Sequence, residues 1–265
     1  MKNRKQKIEK MEYWSIGVLR GKKAFSLLHY SITPLLPCFI FLTFLVGCAT
    51  VPVEERKEAE FHYKMGISHL NEGNIQMAFV ELQKAYQLNP DNKETLNSLG
   101  LVYLQLDELE KAKDLFLRAV SIDSEFSEAY NNLGVTYSKR RQWTEAIDAF
   151  KRALSNPLYR TPETAFYNLG ISYYRVGQYE PAINAFKDSI KRSPFFALPY
   201  YGLALAYNRE SRYGDAAAII ARAIEIDPAY KGDRKKFIEE IKQRLLTAKG
   251  EEEMDFRDYL EIMRY

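Results

Sequence analysis

Between residues 59 and 230, apolar positions recur every three or four residues in short segments that are separated by brief polar breaks. This period predicts amphipathic α-helices rather than strands. The order of positions also repeats, because a small residue returns at intervals of 34, 34, 36 and 34 residues, at Gly66, Gly100, Gly134, Gly170 and Ala204. An alanine follows each of these after twelve residues, at Ala78, Ala112, Ala146, Ala182 and Ala216. A period of this length indicates a solenoid of repeated helix pairs.

Packing explains why each position keeps its residue type. Small residues let two antiparallel helices approach closely, and a large apolar residue four positions after each alanine fills the gap between them. These large residues are Leu82, Phe116, Phe150, Phe186 and Ile220. Gly73 and Gly177 lie in polar breaks that separate the two helices of a unit. The pair Asp91 and Glu94 has the spacing of a capping box at the start of a helix.

In all five units the pattern resembles the tetratricopeptide repeat. The resemblance implies an all-α fold, a right-handed superhelical solenoid of five helix pairs, with units at 59–92, 93–126, 127–162, 163–196 and 197–230. Residues 231–248 carry a stripe of apolar residues that includes Phe237 and Ile241, which predicts a capping helix. Residues 249–265 begin acidic and end apolar, and this pattern leaves both a helical tail and a disordered one open.

The first 47 residues have the features of a secretory signal peptide, which are positive residues followed by a short apolar run. The run has only 13 residues, 35–47, whereas a helix that crosses a bilayer takes about 20. It ends in Leu45-Val46-Gly47-Cys48, which resembles the bacterial lipobox, in which the cysteine is acylated and begins the mature protein. Cleavage by the ordinary signal peptidase, with Cys48 incidental, is the alternative. Met1 and Met11 are both possible starts of translation.

A lipid on Cys48 would hold the protein on a membrane while its body stays in water, because two or more acyl chains anchor stably. Residue 49 is alanine and not aspartate. By resemblance to lipoprotein sorting in bacteria with two membranes, this favours an outer membrane lipoprotein that faces the periplasm. Residues 48–58 would form a short polar tether.

The excess positive charge belongs to the leader. Residues 1–47 carry a net charge of +6 and the whole chain carries +3, which leaves −3 for residues 48–265. An acidic mature chain argues against nucleic-acid binding, which needs a basic face. With two cysteines and three histidines, a disulfide framework is excluded and a Cys/His metal site is not expected.

The sequence contains no catalytic constellation. His62 and His69 fall seven residues apart on one helical face, at positions that are normally core, and no partner is visible that would make either a general base. Phosphate-binding, metalloprotease and serine-hydrolase motifs are absent as well. The sequence therefore predicts a scaffold rather than an enzyme, with no cofactor and no small-molecule substrate.

In a tetratricopeptide solenoid the first helix of each unit lines the concave face, so the resemblance implies which side chains point inward. The candidate peptide-binding residues are Tyr63, Asn97, Leu104, Asn131, Tyr167, Tyr174, Arg175, Tyr201 and Asn208. Asparagine amides can hydrogen-bond an extended backbone in both directions, and tyrosine offers flat apolar contact with a polar end. These residues predict a protein partner. Packing against the neighbouring helix is the alternative for inward aliphatic residues and for some of the tyrosines.

The 36-residue interval contains Asn156-Pro157-Leu158-Tyr159-Arg160-Thr161-Pro162-Glu163, in which Thr161 and Pro162 suit the start of a helix. Together with the lipobox, this stretch resembles the type IV pilus biogenesis lipoproteins of the PilF/PilW kind. The resemblance implies a pilotin-like scaffold that assists localisation or assembly of the outer-membrane pilus secretin. Two alternatives stay open: the interval is a neutral loop insertion, or the protein is a periplasmic adaptor that recruits proteases or peptidoglycan hydrolases.

Overall fold

The computed structural model describes residues 52–265, and these residues form twelve α-helices and no strand. The leader, Cys48 and the first part of the tether lie outside the described residues. The helices are α1 (Val53–Asn71), α2 (Ile75–Leu88), α3 (Lys93–Gln105), α4 (Leu109–Ile122), α5 (Ser127–Lys139), α6 (Trp143–Ser155), α7 (Pro162–Arg175), α8 (Tyr179–Arg192), α9 (Ala197–Arg209), α10 (Tyr213–Ile226), α11 (Arg234–Leu245) and α12 (Glu251–Ile262). Within this part of the chain, none of the helices combines the length and the apolar character needed to cross a bilayer.

The first ten helices form five pairs, each joined by a three-residue turn, and we call the first helix of a pair A and the second B. Each A helix packs on its own B helix, and each B helix packs on the next A helix. Consecutive A helices also contact each other at every unit boundary, whereas consecutive B helices do not within the described residues. The A helices therefore lie on the inner, concave side of the stack. The expected all-α solenoid of five helix pairs is confirmed.

Within a unit, helices A and B interlock through a glycine on helix A and a large side chain on helix B. In the middle three units this side chain is a fully buried phenylalanine, at Phe116, Phe150 and Phe186. A Cβ atom added at Gly134 would lie 2.5 Å from the Phe150 ring, closer than non-bonded carbon atoms approach. The corresponding glycines of units two and four leave 2.6 Å. Only glycine therefore lets the two helices meet around the ring.

The interlock changes in the fifth unit and also extends between units. In unit five the small residue is Ala204 and the opposing side chain is Ile220, so a larger residue on helix A accompanies a smaller one on helix B. A Cβ atom added at Gly202 would lie 2.5 Å from the ring of Phe186, which belongs to the preceding unit. The same ring thus joins two helices within a unit and two units to each other, as a continuous repeat core requires.

The turn between helices A and B places one residue in the left-handed backbone region in every unit. In units one and four this residue is Gly73 (φ 75°) and Gly177 (φ 76°), where the sequence predicted the break. In the other units it is Asp107 (φ 60°), Arg141 (φ 58°) and Ser211 (φ 59°). A side chain in this region costs roughly 1–2 kcal/mol. Packing of the flanking helices must offset that cost in three of the five turns.

Two capping predictions need correction. The cap of α3 is Asn92 and not Asp91, because the Asn92 side chain accepts a hydrogen bond from the Thr95 backbone N–H at 2.6 Å. Glu94 then falls at the second helical position, one residue short of the position that a capping box requires. Thr161 does precede Pro162 at the start of α7, but its side chain makes no capping hydrogen bond.

The link between units three and four is held against the stack. Tyr159 is buried with Ala153 and Ala165, and burial raises the pKa of its phenol. The Asn156 side-chain amide donates a hydrogen bond to the Glu125 carbonyl at 3.0 Å. The burial of Tyr159 therefore holds in place the loop that contains the two additional residues of the 36-residue interval.

Two further helices close the C-terminal end. Helix α11 lies in the segment for which the sequence predicts a capping helix, and it packs on α10 with Phe237 and Ile241 buried. Residues 249–265, for which helix and disorder were both open, contain α12. This helix packs on α9, α10 and α11, with Phe256 and Ile262 buried.

Gly134→Ala should lower the free energy of unfolding by about 1–3 kcal/mol, because the added methyl group overpacks the Phe150 ring. The double variant Gly134→Ala/Phe150→Ile copies the Ala204 and Ile220 pair of unit five and should lose less stability than the two single variants summed. Urea denaturation followed by circular dichroism measures all three. Additive losses would contradict the interlock.

Ser211→Gly should raise the free energy of unfolding by about 1 kcal/mol, because glycine adopts the observed φ of 59° without a steric cost. Gly177→Ser is the matched reverse change in the equivalent turn and should lower stability by a similar amount. The same denaturation experiment compares them. Equal effects in the same direction would show that the left-handed turn is not what decides stability here.

Candidate functional site: the concave face

The concave face is formed by the inward rows of side chains on α1, α3, α5, α7 and α9. It has two parts that differ in what covers them. We call the face of units one to three the open half, because no other described helix lies over it. We call the face of units four and five the covered half, because α12 lies against it.

Four of the predicted residues lie in the open half, and all four are half-buried: Tyr63, Asn97, Leu104 and Asn131. The Asn97 Oδ1 atom accepts a hydrogen bond from Asn132 Nδ2 at 2.9 Å. The Asn131 Oδ1 atom is buried and has no hydrogen-bond partner among the described residues. A buried acceptor without a donor is costly, but this oxygen is closed to solvent, so a bound polypeptide could donate to it only after the Asn131 side chain turns outward.

The open half deepens beside Tyr63 and Asn97 into a depression of 590 Å³. Its lining carries more acidic than basic groups: Glu94, Asp123, Glu125 and Glu128 against Lys93 and Arg160. The Lys93 Nζ atom lies 2.5 Å from Asp123 Oδ2. Burial raises the pKa of Tyr63, so its phenol stays protonated and can donate. A depression of this size and polarity suits several residues of a peptide.

In the covered half, two carboxylates of α12 pair with two arginines of the A helices. Arg175 donates to both oxygens of the Asp255 carboxylate, at 2.9 and 2.5 Å. The Arg209 Nη2 atom lies 2.7 Å from Asp258 Oδ2. Burial raises the pKa of Asp258, and the charge of Arg209 opposes this shift. The bidentate Arg175–Asp255 pair and the single Arg209–Asp258 ion contact link α12 to α7 and α9. The buried Asp258 Oδ2 atom has no well-aligned hydrogen bond among the described residues, so the Arg175 pair is the stronger of the two.

A third carboxylate and one phenol extend this network. Glu251, one turn before Asp255 on α12, lies 3.6 Å from Arg175 and 3.7 Å from Arg141 in the turn after α5. The Tyr174 hydroxyl donates to Asp255 at 3.4 Å and accepts a hydrogen bond from Arg209 at 3.3 Å. Acidic groups along one face of α12 therefore meet a row of arginines from units three, four and five.

Aromatic contacts complete the covered half. The Tyr259 ring of α12 lies edge-on to Tyr201, with centroids 5.9 Å apart, and edge-on to Phe237 at 6.0 Å. Tyr201 also stacks on Phe237 at 5.6 Å and donates a hydrogen bond from its hydroxyl to Asp227 at 3.1 Å. Burial raises the pKa of Tyr201 and of Tyr259. The phenols stay neutral, as an apolar contact requires.

The remaining predicted residues are therefore in contact with the chain itself. Tyr174, Arg175 and Tyr201 touch α12, and Asn208 is buried one residue before Arg209. Tyr167 packs edge-on against Phe196 at 5.5 Å. A partner for these five residues stays a prediction. Sequence reasoning missed that the tail lies against them, although acids at 251, 255 and 258 with aromatic residues at 256 and 259 give α12 one charged and one apolar face.

The histidines make local contacts. The His62 Nδ1 atom lies 2.6 Å from Glu81 Oε2, a contact that joins α1 to α2 in unit one. Hydrogen bonds from Lys84 and His62 lower the pKa of Glu81. Within residues 52–265 no cluster of three or more histidine, cysteine or acidic side chains could hold a metal ion.

Stacked helix pairs with an inner groove define a helical-repeat scaffold. Sequence models of the tetratricopeptide repeat match residues 59–92, 94–126, 127–156 and 167–231. The chain belongs to the tetratricopeptide repeat family and is a scaffold for protein–protein interaction.

Solved structures share the fold over most of their length. A crystal structure of MamA is 25% identical, with a TM-score of 0.57, over 67% of this chain and 96% of MamA. PilF of Pseudomonas aeruginosa is 17% identical, with a TM-score of 0.62, over 78% of this chain and 99% of PilF. YrrB, described as a TPR protein with an unusual peptide-binding site, is 21% identical, with a TM-score of 0.56, over 72% and 95%. Among sequences, the uncharacterised protein MJ0572 of Methanocaldococcus jannaschii is 32% identical over 65 residues, 24% of this chain and 76% of that protein.

Asp255→Arg should release α12 from the covered half, because it places a positive charge against Arg175. Hydrogen exchange in residues 251–262 should become faster, and proteases should cut the exposed link at 246–250. Glu252→Arg makes the same charge change at an exposed position of α12 and should change neither. Equal protection in both variants would mean that the ion pairs do not hold the helix.

Alkaline pH should destabilise the covered half. Burial raises the pKa of Tyr174, Tyr201 and Tyr259 above that of an unfolded tyrosine, so their stabilisation is fully present below about pH 10 and is lost progressively as pH rises from there toward the raised pKa values. Urea denaturation between neutral pH and about pH 11 should show this fall. The fall should be shallower for Tyr259→Phe, which removes one titrating group. Identical slopes would contradict the assignment to these phenols.

Proposed function

We propose that the protein is a membrane-anchored scaffold whose concave face holds a segment of another polypeptide, and that it acts in type IV pilus biogenesis by assisting localisation or assembly of the pilus secretin. The observation that carries the proposal is the open half of the concave face. There Tyr63, Asn97, Leu104 and Asn131 are only half-buried, and no other described helix covers them.

An extended peptide matches this surface in chemistry. Its backbone N–H and C=O groups can pair with the half-buried side-chain amides of Asn97 and Asn131, and its side chains would contact Leu104 and the Tyr63 ring. The acidic lining of the neighbouring depression favours a segment with basic residues. These features support peptide capture by the A helices of units one to three.

One feature favours the pilus over other envelope systems, and two further features are compatible with it. The link at 156–163 resembles the pilus biogenesis lipoproteins, and its Tyr159 is a packed part of the fold. The fold is shared with P. aeruginosa PilF over 99% of that protein, at an identity that supports the fold alone. The lipobox-like Leu45–Cys48 stretch fits a lipoprotein.

The proposed lipid anchor would keep the concave face close to a membrane. Cys48 lies outside the described residues, and α1 begins five residues later, at Val53. Five extended residues reach about 18 Å. We place the protein at the outer membrane, facing the periplasm, because Ala49 and not aspartate follows the cysteine.

Cys48→Ala, in a chain whose leader is replaced by one that the ordinary signal peptidase removes, should move the mature protein from the membrane fraction to the soluble fraction without loss of helicity, because the change removes the acylated thiol and touches no helix of the solenoid. Fractionation and circular dichroism measure the two effects. Continued membrane association of the variant would contradict the tether.

A photo-crosslinking amino acid at Asn97 or Leu104 should capture the secretin in cells, because both positions face the open half. The same amino acid at Asp148, an exposed position on a B helix, is the matched control and should capture much less. Capture of a protease or a peptidoglycan hydrolase would support the adaptor alternative instead. Equal capture from Asp148 would contradict binding on the concave face.

A further inference from the structure

We propose that units four and five form a receptor site for an acidic amphipathic helix of a partner protein, and that α12 occupies this site as a built-in, displaceable ligand. The proposal deepens the proposed function: it rests on the concave face as a polypeptide-binding surface, and it states the chemistry of the partner in the covered half. It does not depend on the partner being the secretin.

The positive charges of the receptor site form ion pairs with acidic residues of α12 and with no other acidic residue in the described part of the chain. Arg175 pairs with Asp255 and Glu251, and Arg209 pairs with Asp258. Arg141, from the turn of unit three, pairs with Glu251. None of the three arginines has an acidic partner outside α12 among residues 52–265. Without α12 the site would be a row of three unpaired cations on three successive units.

The apolar part of the site sets the second requirement. Tyr201, which stacks on Phe237, receives the Tyr259 ring edge-on, while Phe256 and Ile262 are buried with them in the same cluster. A helix that fits must therefore carry carboxylates about one turn apart and aromatic or aliphatic residues on the adjacent stripe. This is the helix-in-groove mode of recognition, with the anchors on one helical face.

One observation indicates that α12 fills the site incompletely. A depression of 370 Å³ remains between α12 and the ends of α7 and α9, lined by Tyr174, Arg175, Arg209, Met254 and Asp255 among others. A partner helix with larger side chains at the positions of Met254 and Asp255 could fill this space.

The connection of α12 to the stack permits exchange. The link at 246–250 is mostly exposed, with Leu246 78% exposed. Because the link is short, α12 binds with an effective concentration of the order of millimolar. A partner helix must therefore bind more tightly than α12 or be held nearby. The affinity and effective concentration of α12 thus set the minimum affinity that a partner needs to occupy the covered half.

The test uses the full mature chain with a protease recognition sequence inserted in the link at 246–250. The protein is cut after folding, so that α12 becomes a separate peptide, and a fluorescent peptide of residues 250–265 serves as the acidic helix. Anisotropy should show saturable binding to the cut protein and binding at least about tenfold weaker to the uncut protein. A peptide with Asp255→Arg and Asp258→Arg should bind at least about tenfold more weakly, whereas one with Glu252→Arg and Glu261→Arg, at exposed positions, should bind as before.

The receptor side has its own pair of variants. Arg175→Glu in the cut protein should lose the native peptide and should bind a peptide with Asp255→Arg alone, because Arg209 still pairs with Asp258. Arg222→Glu, on B helix α10, should change neither. Equal binding to cut and uncut protein, or loss of helicity beyond α12 when the peptide leaves, would overturn the proposal. Dimers of the uncut chain that exchange α12 would also overturn it, because the occupant would then be a second copy. Crosslinks from Asn97 test the proposed function separately.

Discussion

The contact of a flat aromatic ring with a bare backbone governs this molecule. Phe116, Phe150 and Phe186 each lie over a glycine of the facing helix at a distance that leaves no room for a Cβ atom. This contact sets how closely helices A and B approach. The buried alanines of the B helices, such as Ala146, let the next unit pack closely on this helix pair. Within the part of the chain that the structure describes, consecutive A helices touch one another and consecutive B helices do not, so the same packing curves the stack and produces a concave inner surface.

The two halves of the concave face are built from the same repeated pattern but differ in their side chains and in whether another helix covers them. In units one to three the inward side chains are half-buried, and no other described helix covers them. In units four and five the inward positions hold Tyr174, Arg175 and Tyr201, and these residues are engaged by α12. The chain thus combines a surface that is open to a partner with one that carries its own ligand, and the two are distinguished by charge as well as by access.

The fold could be predicted from the sequence because each repeated residue type meets a packing requirement between neighbouring helices. A small residue on helix A and a large apolar residue on helix B, such as Gly134 and Phe150, pack well only when the two helices lie close together. All five units have such a small and large pair at the same spacing. It could not predict where the tail would lie, because the acids at 255 and 258 fit any row of arginines and the row exists only after three units have stacked. The predicted N-cap of α3 was also wrong by one residue, at Asp91 instead of Asn92. Both residue types are suitable caps, and only the backbone path selects between them.

We have proposed that the inner face of units one to three holds another polypeptide, and hydrogen exchange of the mature protein, measured alone and with its captured partner, distinguishes this face from the outer one. Slowed exchange on binding should be concentrated in the A helices α3 and α5, at the backbone around Asn97 and Asn131, with the B helices α4 and α6 unchanged. Protection confined to the B helices would mean that the partner lies on the convex side and not in the groove.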